Sequence, residues 1–158
     1  MSEVLRIVAG GLIAIVCAYV GVIVKRRYLA REKFYCEALE YFTYFERELT
    51  FKKTPLPDIN TAFARTHTGE FSKLLQSPSP FDKKSSYTYL QQAEKESVKD
   101  ALEGLGTSVY QEQLPYVKRW QAEMKERADK CRQENKKYGG MYFKLCVLLG
   151  IALLILIV

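Results

Sequence analysis

The sequence predicts an all-α protein, a small helical bundle of about five to six helices flanked by two transmembrane helices. Three observations carry this. The hydrophobic residues of the 158-residue chain gather at its two ends. The stretch between them repeats apolar residues at spacings of three and four, and it contains no β alternation of useful length. A mean hydropathy of -0.16 therefore averages two environments. The expected division is a membrane helix over 1–24, a cytoplasmic helical domain over 25–139 and a second membrane helix over 140–158.

The first run, Ile7 to Val24, is uncharged for 18 residues, close to the roughly 20 needed to cross ~30 Å of hydrocarbon. Glu3 precedes Arg6, no small-x-small site closes the run and Lys25-Arg26-Arg27 follows it, so it reads as a retained anchor and not a cleaved signal. The second run, Leu145 to Val158, extends back to Gly140 with Lys144 as its sole charge, placed where it can snorkel to the headgroups. Lys25, Arg26, Arg27, Arg31 and Lys33 follow the first run, and Lys125, Arg127, Lys130, Arg132, Lys136 and Lys137 precede the second. This asymmetry predicts a cytoplasmic domain with both termini on the opposite side. The net charge of +6 sits beside the membrane, where anionic lipid attracts it, which argues for a membrane surface and against nucleic acid.

Between the anchors, Tyr35, Leu39, Phe42, Phe45 and Leu49 mark an amphipathic helix over Arg31 to Phe51, continuous with the first span. Thr54-Pro55-Leu56-Pro57 then makes a corner, with Thr54 as N-cap and Pro55 at the first position of a helix carrying Ile59 and Phe63. A short helix is expected over Gly69 to Gln76, and an exposed loop at Ser77-Pro78-Ser79-Pro80. The next helix is expected over Tyr87 to Leu105, ended by Gly104 and Gly106. Ser108 and Gln111 match a capping box for a long last helix from Val109 through Tyr138, with Pro115 near its start.

The chemistry-bearing residues do not converge. His67 is the sole histidine and reads as an exposed loop residue; Gly104 and Gly106 lack the rest of a phosphate-binding loop; Glu37, Glu40, Glu46 and Glu48 read as the wet face of a helix. Cys36 and Cys131 lack metal spacing, and Cys17 and Cys146 fall in the spans. No catalytic residue, cofactor or metal is expected. The aromatic crowding around Tyr41, Tyr44, Phe45 and Phe51 exceeds one apolar stripe, so core packing and a protein interface both fit it. With Thr54, Pro55, Leu56 and Pro57 these residues form the candidate partner interface. Lys25, Arg26, Arg27, Lys136, Lys137 and Lys144 form a membrane-proximal basic set.

Three stretches resemble the stage III sporulation protein AB family of endospore-forming bacteria. They are Leu39, Phe42 and Glu46 leading to Thr54-Pro55-Leu56-Pro57; Leu105-Gly106-Thr107-Ser108 with Gln113; and Tyr138-Gly139-Gly140-Met141 running into the last span. Val109 stands where the family usually carries Asp, and Thr66 to Thr88 is short of its usual pattern. The resemblance implies a soluble domain similar to the cytoplasmic domain of the type II secretion inner-membrane platform protein. It further implies a non-enzymatic scaffold of the mother cell–forespore channel complex, in the mother-cell membrane around the forespore. The implied partners are other stage III channel proteins and a secretion-type ATPase, and a homo-oligomer is compatible with the reading. A membrane-anchored signalling or regulatory adaptor is the alternative from a different class.

Overall fold

The computed structural model describes residues 2–52, 54–77, 81, 87–107 and 110–157. Among them the secondary structure is helical: α1 (Ser2–Phe51), α2 (Leu56–Thr66), α3 (Glu70–Leu75), α4 (Gln92–Glu103), α5 (Tyr110–Glu134), a π-helical turn (Asn135–Gly139) and α6 (Gly140–Ile157). The chain divides into two compact units, Met1–Ala30 with Cys131–Val158, and Arg31–Lys130.

In the first unit the apolar parts of α1 and α6 are long and hydrophobic enough to cross a membrane, with mean hydropathies of 2.2 and 2.1 over their best windows. A core helix of a soluble protein would hide such side chains. Here only 11% of each window is buried, and Ile15, Leu148 and Leu156 are exposed to 66%, 62% and 83%. The positions that are buried along these spans are glycines, Gly10, Gly21 and Gly150.

The reason is close packing of one helix on the other. A Cβ on Gly21 would lie 3.2 Å from Cys146 Cβ and 3.4 Å from Phe143 Cα, and one on Gly150 would lie 3.2 Å from both Ala14 Cα and Cys17 Cβ. Ascending numbers on α1 meet descending numbers on α6, so the pair is antiparallel and formed within one chain. In lipid, apolar side chains gain little by leaving hydrocarbon for a neighbouring helix, and small residues that let backbones approach supply the contact instead. At the other end Tyr28 stacks on Tyr142 (centroids 6.3 Å, 9°) and lies 6.5 Å from Tyr138. The π turn ends here; a Cβ on Gly139 would sit 2.6 Å from Asn135 Oδ1, which leaves room only for glycine without a shift of that amide.

The second unit has its own core. Phe34, Tyr35, Ala38, Tyr41, Phe42 and Phe45 recur along α1 at helical spacing and are all buried. Ile59 and Phe63 of α2, Phe71 and Leu74 of α3, Val98 and Ala101 of α4 and Val117, Trp120, Met124 and Ala128 of α5 are buried as well. Aromatic rings meet edge-on, Tyr41 with Phe63 at 5.2 Å and 78°, Phe34 with Phe71 at 5.4 Å and 72°, the arrangement their quadrupoles favour.

Several boundaries differ from the sequence expectation. The N-cap of α2 is Pro55, in extended geometry (φ -62, ψ 145). Thr54 does not cap it, because its hydroxyl donates to the Glu48 carboxylate at 3.2 Å, a stronger, charged acceptor. Helix α3 is shorter than Gly69 to Gln76 by one residue at each end. Helix α4 begins at Gln92, not Tyr87: Tyr87 has φ 64, outside the helical region, and Gln91 and Glu94 make the reciprocal capping box. Residues 78–80 of the expected loop, and Ser108 of the other expected capping box, lie outside the described residues.

Candidate interface

The proposed interface residues separate into two groups. Tyr41 and Phe45 are 0% and 2% exposed and belong to the core, because the aromatic residues of α2 and α3 pack over that side of α1. They are removed from the candidate surface. Tyr44 is half-buried, with the Arg47 guanidinium 5.3 Å from its ring centre, while Phe51 is 80% exposed.

Tyr44 and Phe51 line an open groove of about 730 Å³ together with Leu39, Glu40, Thr43, Glu46, Arg47, Thr50, Phe63 and His67. The eight α1 residues recur every three or four positions, which is the helix face turned away from the core. His67 is not a free loop residue. It follows the end of α2, its ring stacks on Phe63 (centroids 3.9 Å, 9°) and its Nε2 lies 3.5 Å from Glu40 Oε2. No group of three or more metal-ligating side chains occurs among the described residues.

The corner follows the end of α1. Pro55 and Pro57 are exposed, and half-buried Leu56 turns inward, where its Cδ2 lies 3.0 Å from the place a Cβ on Gly106 would occupy. Gly106 has φ +78, a backbone state that L residues rarely adopt. The preceding helix end is tied down by α5: the Tyr116 hydroxyl donates to Asp100 O and Ala101 O at 3.0 and 3.2 Å, and Gln113 Nε2 donates to Gly104 O at 3.2 Å. Thus the Thr54 to Pro57 corner and the Leu105 to Thr107 turn, distant in sequence, form one surface.

All four glutamates read as a wet face have partners: besides Glu40 beside His67, Glu46 Oε1 lies 3.7 Å from Lys118 Nζ, and the other two are held more closely. Glu37 accepts from the backbone N–H groups of Gly69 (3.1 Å), Phe71 (3.0 Å) and Ser72 (3.3 Å) and from the Ser72 hydroxyl, so it caps α3 from α1. Buried Glu48 accepts from Lys52 Nζ at 3.0 Å as well as from Thr54.

A second polar cluster was not expected. Arg31 Nη2 donates to Glu94 Oε1 at 2.6 Å and the Tyr35 hydroxyl donates to the same oxygen at 3.0 Å. Arg127 in turn donates to Tyr35 Oη (3.3 Å), Ser97 Oγ (2.9 Å) and Glu123 Oε1 (2.6 Å). Burial by itself would raise the Glu94 pKa, but the Gln91 backbone N–H and the Arg31 guanidinium outweigh it and hold the carboxyl below its ordinary value. Burial pushes the Tyr35 hydroxyl well above the usual phenol range, so it stays protonated and donates. Only the Gln91-x-x-Glu94 spacing gave a local hint of this cluster.

Lys25, Arg26, Arg27, Lys136, Lys137 and Lys144 are all exposed, and the Lys137 ammonium lies 5.2 Å from the centre of the Tyr138 ring. All four cysteines are thiols.

The family model for stage III sporulation protein AB matches residues 6–80 and 78–158 of the chain. Comparison with curated proteins and with solved structures gives no match. The matched family is not a known enzyme family. With nearly every residue inside the two matched segments, and with the corner, the glycine turn and the apolar ending in place, this chain belongs to the stage III sporulation protein AB family and has a role in sporulation.

Proposed function

We propose that the chain is a non-enzymatic membrane platform of the mother cell–forespore channel complex, spanning the membrane around the forespore twice and docking a secretion-type ATPase at its helical domain. Family membership and two helices able to cross a membrane support the anchored, sporulation-linked part of this reading. The docking part rests on one observation: Phe51, 80% exposed, beside a groove whose floor is apolar and whose rim carries Glu40, Glu46 and Arg47. Such a surface suits the helix-in-groove mode, where aromatic anchors give affinity and rim charges give orientation.

The test is co-purification from crosslinked sporulating cells. The wild-type chain is expected to bring down a secretion-type ATPase, and Phe51→Asp is expected to lose at least tenfold of that yield, equivalent to ~1.4 kcal/mol of binding, while remaining in the membrane fraction. Capture of a kinase or a transcription factor in place of the ATPase overturns the platform reading. Undiminished capture by the variant removes the groove from it. Sidedness is read on variants without native cysteines: a membrane-impermeant thiol reagent should label an added C-terminal cysteine and leave Thr107→Cys unlabelled in intact cells.

A further inference from the structure

Two basic segments more than a hundred residues apart are brought to one end of the α1–α6 pair. Tyr28 contacts Tyr138 and Tyr142 and stands opposite Gly139, so Lys136 and Lys137 lie about one helical turn along the pair from Lys25 and Arg26. All four cations are exposed, as is Lys144 further along α6. No Asp or Glu occurs from Ile7 to Ala30 or from Asn135 to Ile157, and Glu32 and Glu134, just outside these segments, already have partners. The three tyrosines stand at the same level, where phenol hydroxyls reach headgroup oxygens while the rings stay in hydrocarbon. Lys144 sits among apolar neighbours, and a long flexible stem is what lets an ammonium there reach a phosphate.

We propose that this end of the helix pair holds anionic phospholipids, their phosphodiesters neutralised by Lys25, Arg26, Lys136, Lys137 and Lys144 at successive levels, in preference to zwitterionic lipid. The lipid is favoured over a soluble phosphate because the cations and tyrosines ring helices whose outer faces are exposed aliphatic side chains, Leu29, Met141 and Leu145 among them. These would receive the acyl chains. Basic residues at a membrane surface each contribute attraction for anionic lipid that falls off within a Debye length.

The proposal rests on the membrane-spanning reading, and the experiment separates the two. Full-length chain is reconstituted into vesicles of phosphatidylcholine alone or of an equimolar mixture with phosphatidylglycerol, floated, solubilised mildly, and its retained lipids are counted by native mass spectrometry. Wild type is expected to float with both vesicles and to retain phosphatidylglycerol over phosphatidylcholine, a preference falling roughly fivefold for each cation removed in the series Lys137→Gln, then Lys136→Gln, then Lys25→Gln. Glycerol 3-phosphate added in excess is expected not to displace the lipid; displacement assigns the site to free phosphate and overturns the proposal. Retention in the bulk ratio, or a triple variant as selective as wild type, overturns it too, with the membrane reading intact. Failure of the wild-type chain to float overturns the membrane reading and the lipid site together. Helicity by circular dichroism, expected unchanged in the variants, identifies loss of charge as the cause.

Discussion

A single carboxylate decides whether α3 exists. A helix of six residues is far too short to persist alone, and its N-cap, Gly69, brings no side chain to its own first turn. Glu37 supplies the missing acceptor from another helix, with three backbone N–H groups and one hydroxyl converging on it. Glu37→Gln keeps the shape but turns one oxygen into a donor that faces donors. The expected loss is about 2 kcal/mol of unfolding free energy, measured by denaturant titration of the detergent-solubilised chain. Gly69→Ala should lose a similar amount, since its Cβ would collide with the Glu37 carboxylate. Midpoints unchanged in both would mean that α3 is held by Phe71 and Leu74 alone. The sequence concealed this role: on a helical wheel Glu37 belongs to the polar side, and its partners are 32 to 35 residues away.

Elements were legible wherever their signal was local. The repeat of Tyr35, Leu39, Phe42 and Phe45 defined α1, and the Pro-Leu-Pro corner ended it where expected. The start of α4 was misplaced because Leu90 fits the helical stripe, although it is buried from the turn ahead of the helix. Burial makes an apolar residue look helical whether or not its backbone is.

The link between α1, α4 and α5 was invisible for a different reason, since ion pairs between distant helices have no sequence period. Glu94 is the centre of that link, joining Arg31 and Tyr35 to the first turn of α4. Its pKa is lower in the folded chain than its ordinary value of 4.5. The unfolded state therefore binds the proton first, so the stabilisation is complete above about pH 4.5 and is lost as pH falls through the lower, folded value. Thermal melts should show an acid-side fall in stability that is shallower in Glu94→Gln, with the variant less stable at neutral pH. An identical acid limb in both proteins would assign the fall to other carboxylates.

At the scale of the whole chain, the helical class and the two helices able to cross a membrane were readable from where the hydrophobic residues lie, because crossing a bilayer demands a continuous apolar run. Which of the candidate residues lie at the surface was half readable. Tyr41 and Phe51 look equivalent as letters, and only the packing of α2 and α3 makes one core and the other surface. The pairing of the spans was not readable at all, since glycines in an apolar run announce only that a close approach is permitted.

That approach has a practical consequence. Each of the two cysteines in the spans faces a glycine of the opposite helix: Cys17 lies opposite Gly150, and Cys146 opposite Gly21, with a Cβ separation of 3.2 Å in each case once a Cβ is added. This is a few tenths of an ångström under the spacing a disulfide prefers. The native chain thus carries half of two oxidative traps set at different depths. With Cys36 and Cys131 replaced by serine, Gly150→Cys or Gly21→Cys should close an intrachain bridge on mild oxidation, seen as a faster-migrating monomer on a non-reducing gel. A ladder of covalent dimers in its place would show that the same helices find their partners between molecules. Because the two traps differ in depth, their relative closure also reports the register of the pair, and a slip of one turn would close neither.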